Sequence, residues 1–484
     1  MKRANIKTNT IYNIIKAVSS VIFPLISFPY VSRVLLPEGV GKVNFANSVI
    51  NYFALIASLG LTTYAIRECS RVREDKEKLS QTASELFSVN AVTTLVSYGL
   101  LVLTLLFARP LDNYRLLIVV QSTVIAFISL GADWLNSAME DFRYITLRTV
   151  AFQMLSLTLM FLFVRSPDDY LIYSLIMVLS QSGSHIANIF YRRRYCRVRL
   201  IRNMKFKQHI KPVLLLFAMQ LSQVIFTNAD TTMLGLIHTD REVGLYSTAV
   251  KIYTIINQLV SSILWVVLPR LSLNYAKRDY TLINPLLRKI LGFYLALTLP
   301  CIAGLNMLSK EVVELIGGVD YQEAAPVLQI LTVSLFFSIF GGGFIGNIIM
   351  LPSMREKYFL LACSIAAVAN VVLNAFLIPS MGIYGAAITT VISSILIFVI
   401  LLPRIEKEID LGNLWKLSGA PILGSLMIVA VCLITRHFFN GLWPRTIISI
   451  LASIAVYGIT LLLCRYELIV PIFNELLRKL KKVY

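Results

Sequence analysis

This sequence predicts an all-α polytopic membrane protein of about fourteen transmembrane helices, and three observations carry that expectation. Of the 484 residues, 57% are hydrophobic and only 15% charged, where soluble globular chains carry about 25% charged residues. The apolar residues arrive in long runs, as at 214–236, 290–308, 359–378 and 447–464; a bilayer core of about 30 Å asks for about 20 apolar residues per helix. Lys and Arg gather in alternate gaps between these runs.

The first helix is expected at 10–31, with Pro24 and Pro29 inside it. Its basic start lacks a small-residue cleavage site and a second long run follows, so it reads as a retained helix and not a removed signal peptide. Val40-Gly41 leads into the second helix, 43–66; the third, 84–107, carries Glu85 at its N-terminus, where the helix dipole favours an acid. Helices at 115–137, 147–164 and 170–190 complete a first set of six. The second set runs 212–237, 244–268, 289–308, 324–349, 358–378 and 383–402. A glycine triplet at 341–343 reads as close packing or a hinge, tolerated where neighbours satisfy the backbone. Two further helices are expected at 417–436 and 445–464.

This pattern suggests an N-terminal lobe (1–190), a basic linker (191–211), a C-terminal lobe (212–402), two added helices (403–464) and a tail (465–484). The linker holds Arg192, Arg193, Arg194, Arg197, Arg199, Arg202, Lys205, Lys207 and Lys211. Val40-Gly41 and Val243-Gly244 open equivalent helices 203 positions apart, with Glu38 near Glu242 in that register. Parallel six-helix repeats, and hence two pseudo-symmetric lobes, are a known transporter plan. In the tail, Leu476, Leu477, Leu480 and Val483 share one helical face among basic residues, which suits the anionic inner leaflet.

With the N-terminus inside, the inner segments carry nearly four times the Lys and Arg of the outer ones. The positive-inside rule then puts both termini in the cytoplasm. The net charge of +19 is thereby a topology signal, and nucleic acid is excluded as a partner. The outer loops are all short, which argues against a membrane polymerase or glycosyltransferase with a folded outer domain. Six scattered cysteines give neither metal spacing nor a disulfide framework. No Walker loop, zinc motif or nucleophile elbow occurs, so no catalytic residue, metal site or cofactor is expected.

Ionisable residues inside helices are costly and mark candidate sites. Asp230 and Lys251 each lie 7 residues from the outer ends of consecutive helices. They read either as an ion pair fixing a hairpin or as a pair exchanging partners with an anionic cargo or a proton. Lys16 either reaches a cavity or snorkels to the surface. Arg33 suits headgroup phosphates or Glu38, and Asp133 and His185 stand near cytoplasmic helix ends. Asn51, Gln153, Gln181, Gln220, Asn228, Asn257, Asn370 and Asn374 either line a sugar-compatible cavity or bond between helices.

Three stretches carry a family resemblance: Arg33 to Gly41 with Leu59-Gly60-Leu61 and Ile66-Arg67-Glu68; Asp133-Trp134 with Glu140, Tyr144-Ile145 and Arg148; and Asn228-Ala229-Asp230 with Met233-Leu234-Gly235, Val243-Gly244-Leu245-Tyr246 and Ala249-Val250-Lys251. In this order they resemble the Wzx-type polysaccharide flippases of the multidrug/oligosaccharidyl-lipid/polysaccharide exporter superfamily. The resemblance implies two six-helix lobes around a cavity in a bacterial cytoplasmic (inner) membrane. The implied cargo is an undecaprenyl-diphosphate-linked oligosaccharide, moved between leaflets for O-antigen, capsule or exopolysaccharide export. On this reading Lys16, Arg33, Lys251 and Asn228 bind cargo, and Asp230 and Asp133 couple an ion gradient. Membrane lipids, a polysaccharide polymerase and glycosyltransferases are the implied partners. Flippases of this fold often line the cavity with several cations, whereas here only Lys16 and Lys251 lie well inside. A drug or metabolite cation antiporter of the same fold is the alternative, although no deep acid stands in helices one to three. A peptidoglycan-precursor flippase is a further alternative.

Overall fold

The computed structural model describes residues 6–201, 206–262, 264–439, 441–469 and 471. The described residues are helical nearly throughout and contain no strand. The amphipathic part of the tail, 472–484, and linker positions 202–205 lie outside them. Contacts divide the chain into two compact units, Met1–Gly244 and Leu245–Tyr484.

In the first unit the expected loop between helices one and two is a kink. Helix α1 (Ile6–Ser58) continues through Leu36, whose backbone leaves the helix (φ 58°, ψ 174°) just before Pro37. Proline excludes its predecessor from the helical region, so the break belongs at Leu36. A second break at Leu59 and Gly60 (φ 44° and 72°) divides the expected 43–66 helix. Helix α2 (Leu61–Arg71) follows, burying Leu61, Tyr64, Ala65 and Cys69. Helix α3 (Lys76–Phe107) begins two turns earlier than expected, because the Asp75 side chain caps it by accepting from the N–H groups of Glu77 and Lys78. Glu85 therefore lies inside the helix, where it is buried and accepts from Gln81 at 3.0 Å, and not at a helix N-terminus.

Helices α4 (Arg115–Gly131), α5 (Trp134–Ala138), α6 (Phe142–Phe163), α7 (Tyr170–Tyr191) and α8 (Phe206–Ile237) complete this unit with the start of α9 (Asp240–Ser261). Helix α1 is its hub, packing on α3, α4, α6 and α8. After α7 the chain runs extended along α3. Ser80 Oγ donates to the Arg197 carbonyl at 2.5 Å, while Ser84 and Ser88 accept from the N–H groups of Arg199 and Ile201 at 3.1 and 2.9 Å. Serines at i, i+4 and i+8 share one helical face, so a single stripe satisfies a strand-like backbone.

The two glycine turns singled out by sequence pack on each other reciprocally. A Cβ on Gly41 would collide with the Asp240 carbonyl, and one on Gly244 with the Pro37 carbonyl. Positions 37 and 240, like 41 and 244, are 203 apart, the relation a local two-fold axis between the segments requires. Arg241 and Glu38 pair across the same contact at 3.7 Å.

The second unit holds α10 (Leu264–Lys277), α11 (Tyr280–Met307), α12 (Ser309–Gly317), α13 (Ala325–Phe337), α14 (Glu356–Leu401), α15 (Leu414–Phe438) and α16 (Leu442–Leu463). The expected outer loop at 309–323 is thus largely helical. The glycine triplet lies in a π-helical continuation of α13, Ser338–Met350, where Gly341 lets the Phe398 backbone approach. Helix α14 spans two expected helices, kinked at Gly382 (φ 53°). Tyr294 of α11 is buried at the centre of this unit's core against Phe340 and Phe344. Helix α11 also packs on α15, and α15 on α16.

Among the described residues, ten helical stretches are long and apolar enough to cross a membrane by length and composition; two of them, Ile11–Arg71 and Glu356–Arg404, run through the kinks at Leu36 and Gly382. Their outer faces carry exposed Leu95, Leu106, Phe107, Val368, Phe376 and Leu451. Apolar surface this continuous needs a lipid solvent. The chain is a multi-pass membrane protein.

Candidate functional site

At the end of α4 the helix is stopped by Ala132, which adopts the left-handed conformation (φ 50°, ψ 49°). That region costs a non-glycine residue about 1 kcal/mol. Ala132 is fully buried, and packing holds it there. The amides of Asn136 and Asn188 exchange hydrogen bonds at 2.8 and 2.9 Å, and Asn188 also donates to the Gly131 carbonyl at 2.8 Å. These bonds pin the α4–α5 turn to α7 and fix where Asp133 points.

Asp133 faces a cavity of about 530 Å³ lined by residues of α1, α2, α3, α4, α5, α7 and α8, a size typical of small-molecule sites. Asn51, Asn90, Gln220 and Asn228 line it with Ser58, Thr62 and Ser129, while Leu55, Ile125, Ile128 and Trp134 supply apolar wall. Asn90 is committed to the wall itself, donating to the Ala57 carbonyl at 2.9 Å and accepting from Ser129 at 2.8 Å. Asn51 donates to Asn228 Oδ1 at 2.9 Å, joining α1 to α8. Amides alternating with apolar surface suit a ligand that carries many hydroxyls.

Behind Asp133 stands a cation. The Arg148 side chain is only 3% exposed and its Nη2 donates to Asp133 Oδ2. Its Nε and Nη1 are buried without a hydrogen-bond partner. The guanidinium carbon Cζ lies over Tyr144, 5.1 Å from the ring centroid. His185 Nδ1 lies 3.2 Å from the other Asp133 oxygen. Next to this group, Tyr144 stacks on Tyr191, and both Tyr191 and Tyr195 donate to Asp141 at 2.8 and 2.6 Å. Burial, then that bond to Asp141, raises the Tyr195 hydroxyl above its ordinary pKa.

Of the residues expected at a site, the structure brings Asp133 and Asn228 to one cavity, with Asn51 and Gln220. Asp230, just beyond Asn228 on α8, is buried near Tyr52. Lys251 is half-buried on the part of α9 that belongs to the second unit. Lys16 is exposed on α1, and Arg33 is exposed with its guanidinium donating to the Pro29 carbonyl at 3.1 Å. Asn370, Asn374 and Thr389 bond to one another across the two halves of α14, and Asn257 donates to Ser338 at 3.0 Å. Sequence reasoning missed the grouping of Arg148 and His185 with Asp133, because 15 and 52 residues separate them from it; the one available signal was three ionisable residues each near an end of an expected helix.

A family model described as polysaccharide biosynthesis protein matches residues 6–275, more than half of the chain. A protein of Escherichia coli (strain K12) named as a candidate O-antigen transporter is 23% identical over 422 residues, covering 84% of this chain and 98% of its own length. Among solved structures, the lipid II flippase MurJ in an inward closed conformation superposes with a TM-score of 0.74 at 17% identity, over 94% of this chain and 97% of its own. An inward-facing multidrug resistance MATE family transporter of the MOP superfamily gives 0.62 at 16% identity, over 81% and 96%. The two structures share the fold, and the family match covers the helices that build the polar cavity, so the chain belongs to the polysaccharide biosynthesis protein family.

Proposed function

We propose that this protein is a flippase that moves an oligosaccharide linked to undecaprenyl diphosphate from the cytoplasmic to the outer leaflet. The observation that carries the reading is the amide-lined cavity in a member of a polysaccharide biosynthesis family. Sugars and a diphosphate cannot cross hydrocarbon unaided, since an unpaired polar group there costs about 2–7 kcal/mol. A cavity of hydrogen-bonding amides, open alternately to each side, replaces the lost hydration while the prenyl chain stays in lipid. The protein is a transporter and not a catalyst. It works in the bacterial cytoplasmic membrane with both termini inside, supplying surface polysaccharide assembly beside a polymerase and glycosyltransferases. Two lobes, 1–190 and 212–402, joined by the basic linker, provide the alternating access. Asn228 contacts sugar, Lys16, Arg33 and Lys251 attract the diphosphate, and Asp133 and Asp230 take part in coupling to an ion gradient.

Deletion of the gene with leaflet-resolved detection of lipid-linked oligosaccharide tests this. Accumulation on the cytoplasmic side, relieved by restoring the gene, is the expected result. Unchanged polymer export together with altered drug tolerance would replace the reading by a cation antiporter.

A further inference from the structure

We propose that Arg355 and Arg404 form a site for the phosphate of an anionic phospholipid in the cytoplasmic leaflet, with the acyl chains lying along the exposed face of α14. The site requires only that the chain spans a membrane and does not depend on what cargo it moves.

The kink at Gly382 turns α14 back on itself, so the residue before the helix and the turn after it meet at one end. Arg355 is the N-cap of α14, and Arg404 closes the turn Leu402–Arg404 that follows it. Arg355 Nη1 donates to the Arg404 carbonyl at 3.0 Å, and Arg404 Nη1 donates to the Ile400 carbonyl. Each guanidinium is thus anchored through one nitrogen. The Nε and Nη2 groups of both make no hydrogen bond among the described residues. Those two nitrogens form the edge that takes a phosphate side-on through two parallel bonds. The two guanidinium carbons lie 5.4 and 5.5 Å from the centroid of the Tyr358 ring. Two cations therefore flank one ring, within reach of a single lipid headgroup.

The equivalent place in the first unit is built without them. There the cap of α6 is Asp141, which accepts from the Tyr144 N–H and from the hydroxyls of Tyr191 and Tyr195. Tyr144, three residues beyond that cap, is covered by Tyr191, stacked on it at 3.5 Å. Tyr358 holds the same position in α14 and is 40% exposed. An arginine at a cap forgoes the carboxylate's bonds and sets a cation against the positive end of the helix dipole. Helix stability therefore does not account for the arginine pair.

Glu406 offsets the pair only in part. Its Oε1 lies 3.6 Å from Arg355 Nη1, while its Oε2 accepts from the Tyr280 hydroxyl at 2.9 Å. Neither arginine has another ion pair among the described residues. On the first turn of α14, Glu356 and Lys357 cancel. Two arginines against one carboxylate leave one positive charge, which complements the single negative charge of a phosphodiester. Beyond Tyr358, the exposed Leu361, Ile365, Val368, Val372 and Phe376 share one face of α14. From Tyr358 to Phe376 that face runs about 27 Å at 1.5 Å per residue. The arginines and the tyrosine stand at the foot of this lipid-facing stripe, the level at which headgroups lie. The positive-inside rule puts this end in the cytoplasm, beside the leaflet that carries anionic lipid.

The test compares dioleoylphosphatidylglycerol with dioleoylphosphatidylcholine on the full chain in detergent, by native mass spectrometry. The parent is expected to hold the anionic lipid about tenfold more tightly. Glycerol phosphate at the same concentration should displace none of it. Arg355→Gln combined with Arg404→Gln should abolish the preference. Arg193→Gln combined with Arg194→Gln removes the same charge from the turn after α7 and should preserve it. Arg404→Lys keeps the charge but gives up the side-on edge, and should fall between the parent and the first double variant. Equal losses in the two double variants would show attraction by net surface charge alone and overturn the site. Displacement by glycerol phosphate would overturn it in favour of a soluble phosphate ester. A parent that does not distinguish the two lipids overturns the inference with no variant having to fold.

Discussion

Gly41 and Gly244 each occupy a place where the other's segment leaves room for hydrogen alone. The carbonyl of Asp240 blocks a Cβ on Gly41, and the carbonyl of Pro37 blocks one on Gly244. Both obstacles are backbone, so no side-chain rotation relieves them. Gly41→Ala and Gly244→Ala are each expected to cost about 3 kcal/mol, the upper part of the usual range for overpacking. Because the contacts are reciprocal, the double variant should cost less than the sum of the singles, the first insertion having already parted the segments. Thermal unfolding of the detergent-solubilised protein, followed by fluorescence-detected size exclusion, reads both. Gly99, where a Cβ would meet nothing within 4 Å, is the control, and Gly99→Ala should be neutral or slightly stabilising in mid-helix.

The pair Arg148–Asp133 is asymmetric, and its variants should be so too. Arg148 is 3% exposed, and Asp133, at 27%, meets the cavity and a second base, His185. Asp133→Asn strands a buried cation and is expected to cost about 3–5 kcal/mol. Arg148→Met leaves a carboxylate that cavity water and His185 still serve, and about 1–2 kcal/mol is expected. Combining them removes both charges and should recover most of the Asp133→Asn loss. A double variant no more stable than Asp133→Asn alone would contradict the pairing.

Much of this architecture is legible in the sequence, for physical reasons. Helices stand over the intervals that apolar length marked, because bilayer thickness fixes run length. The gap left between the helices expected at 10–31 and 43–66 is a kink within α1; a run of apolar residues does not say whether a helix stops or bends. Asp75 had the means to cap α3 two turns early, but apolar runs ignore polar helix starts that lie outside hydrocarbon. The cavity was half legible. Asn51, Gln220 and Asn228 stand out as amides in apolar helices, yet Asn370 and Asn374 look the same and tie helix segments together. What separates the two roles is which face each amide turns inward, and that depends on helix rotation set by packing.

Asp169 offers a prediction on pH. Its carboxylate accepts from the N–H groups of Arg165 and Ser166 at 2.8 and 2.7 Å, in a capping box with Ser166 before α7. The Arg165 bond first, then that of Ser166, holds its carboxyl below the ordinary value. A carboxyl lowered on folding contributes stability that is complete above its unfolded pKa, about 3.9, and is lost as pH falls through the folded value. Asp169→Asn should therefore unfold at a lower temperature than the parent at neutral pH. The gap should close as pH drops below that of the unfolded carboxyl, where both proteins present an uncharged side chain. Melting curves of both across that range decide it; a gap constant with pH would mean the carboxylate charge contributes nothing.

In the second unit Glu311 joins α12 to both added helices. Its side chain is 2% exposed, and its Oε1 lies 3.2 Å from Arg436 of α15 and 3.0 Å from Arg445 of α16. Arg436 also donates to the Met307 carbonyl at 3.1 Å. Two cations share one oxygen, so the three removals differ. Glu311→Gln leaves two guanidiniums facing each other and should cost about 2–4 kcal/mol, less than a fully buried pair because Arg436 is half exposed. Arg436→Gln leaves Arg445 still neutralising the carboxylate, and about 1 kcal/mol is expected, as for an exposed ion pair. Arg445→Gln should cost more, since its side chain is 26% exposed and its Nε is buried. Removing both arginines strands Glu311 in a site with no other cation among its ion pairs in the described residues, and the loss should exceed the sum of the singles. Limited proteolysis of the turn between α15 and α16, alongside melting temperatures, distinguishes loosening of the added helices from global unfolding. Additive losses would show that the arginines act separately and that Glu311 does not join the two helices.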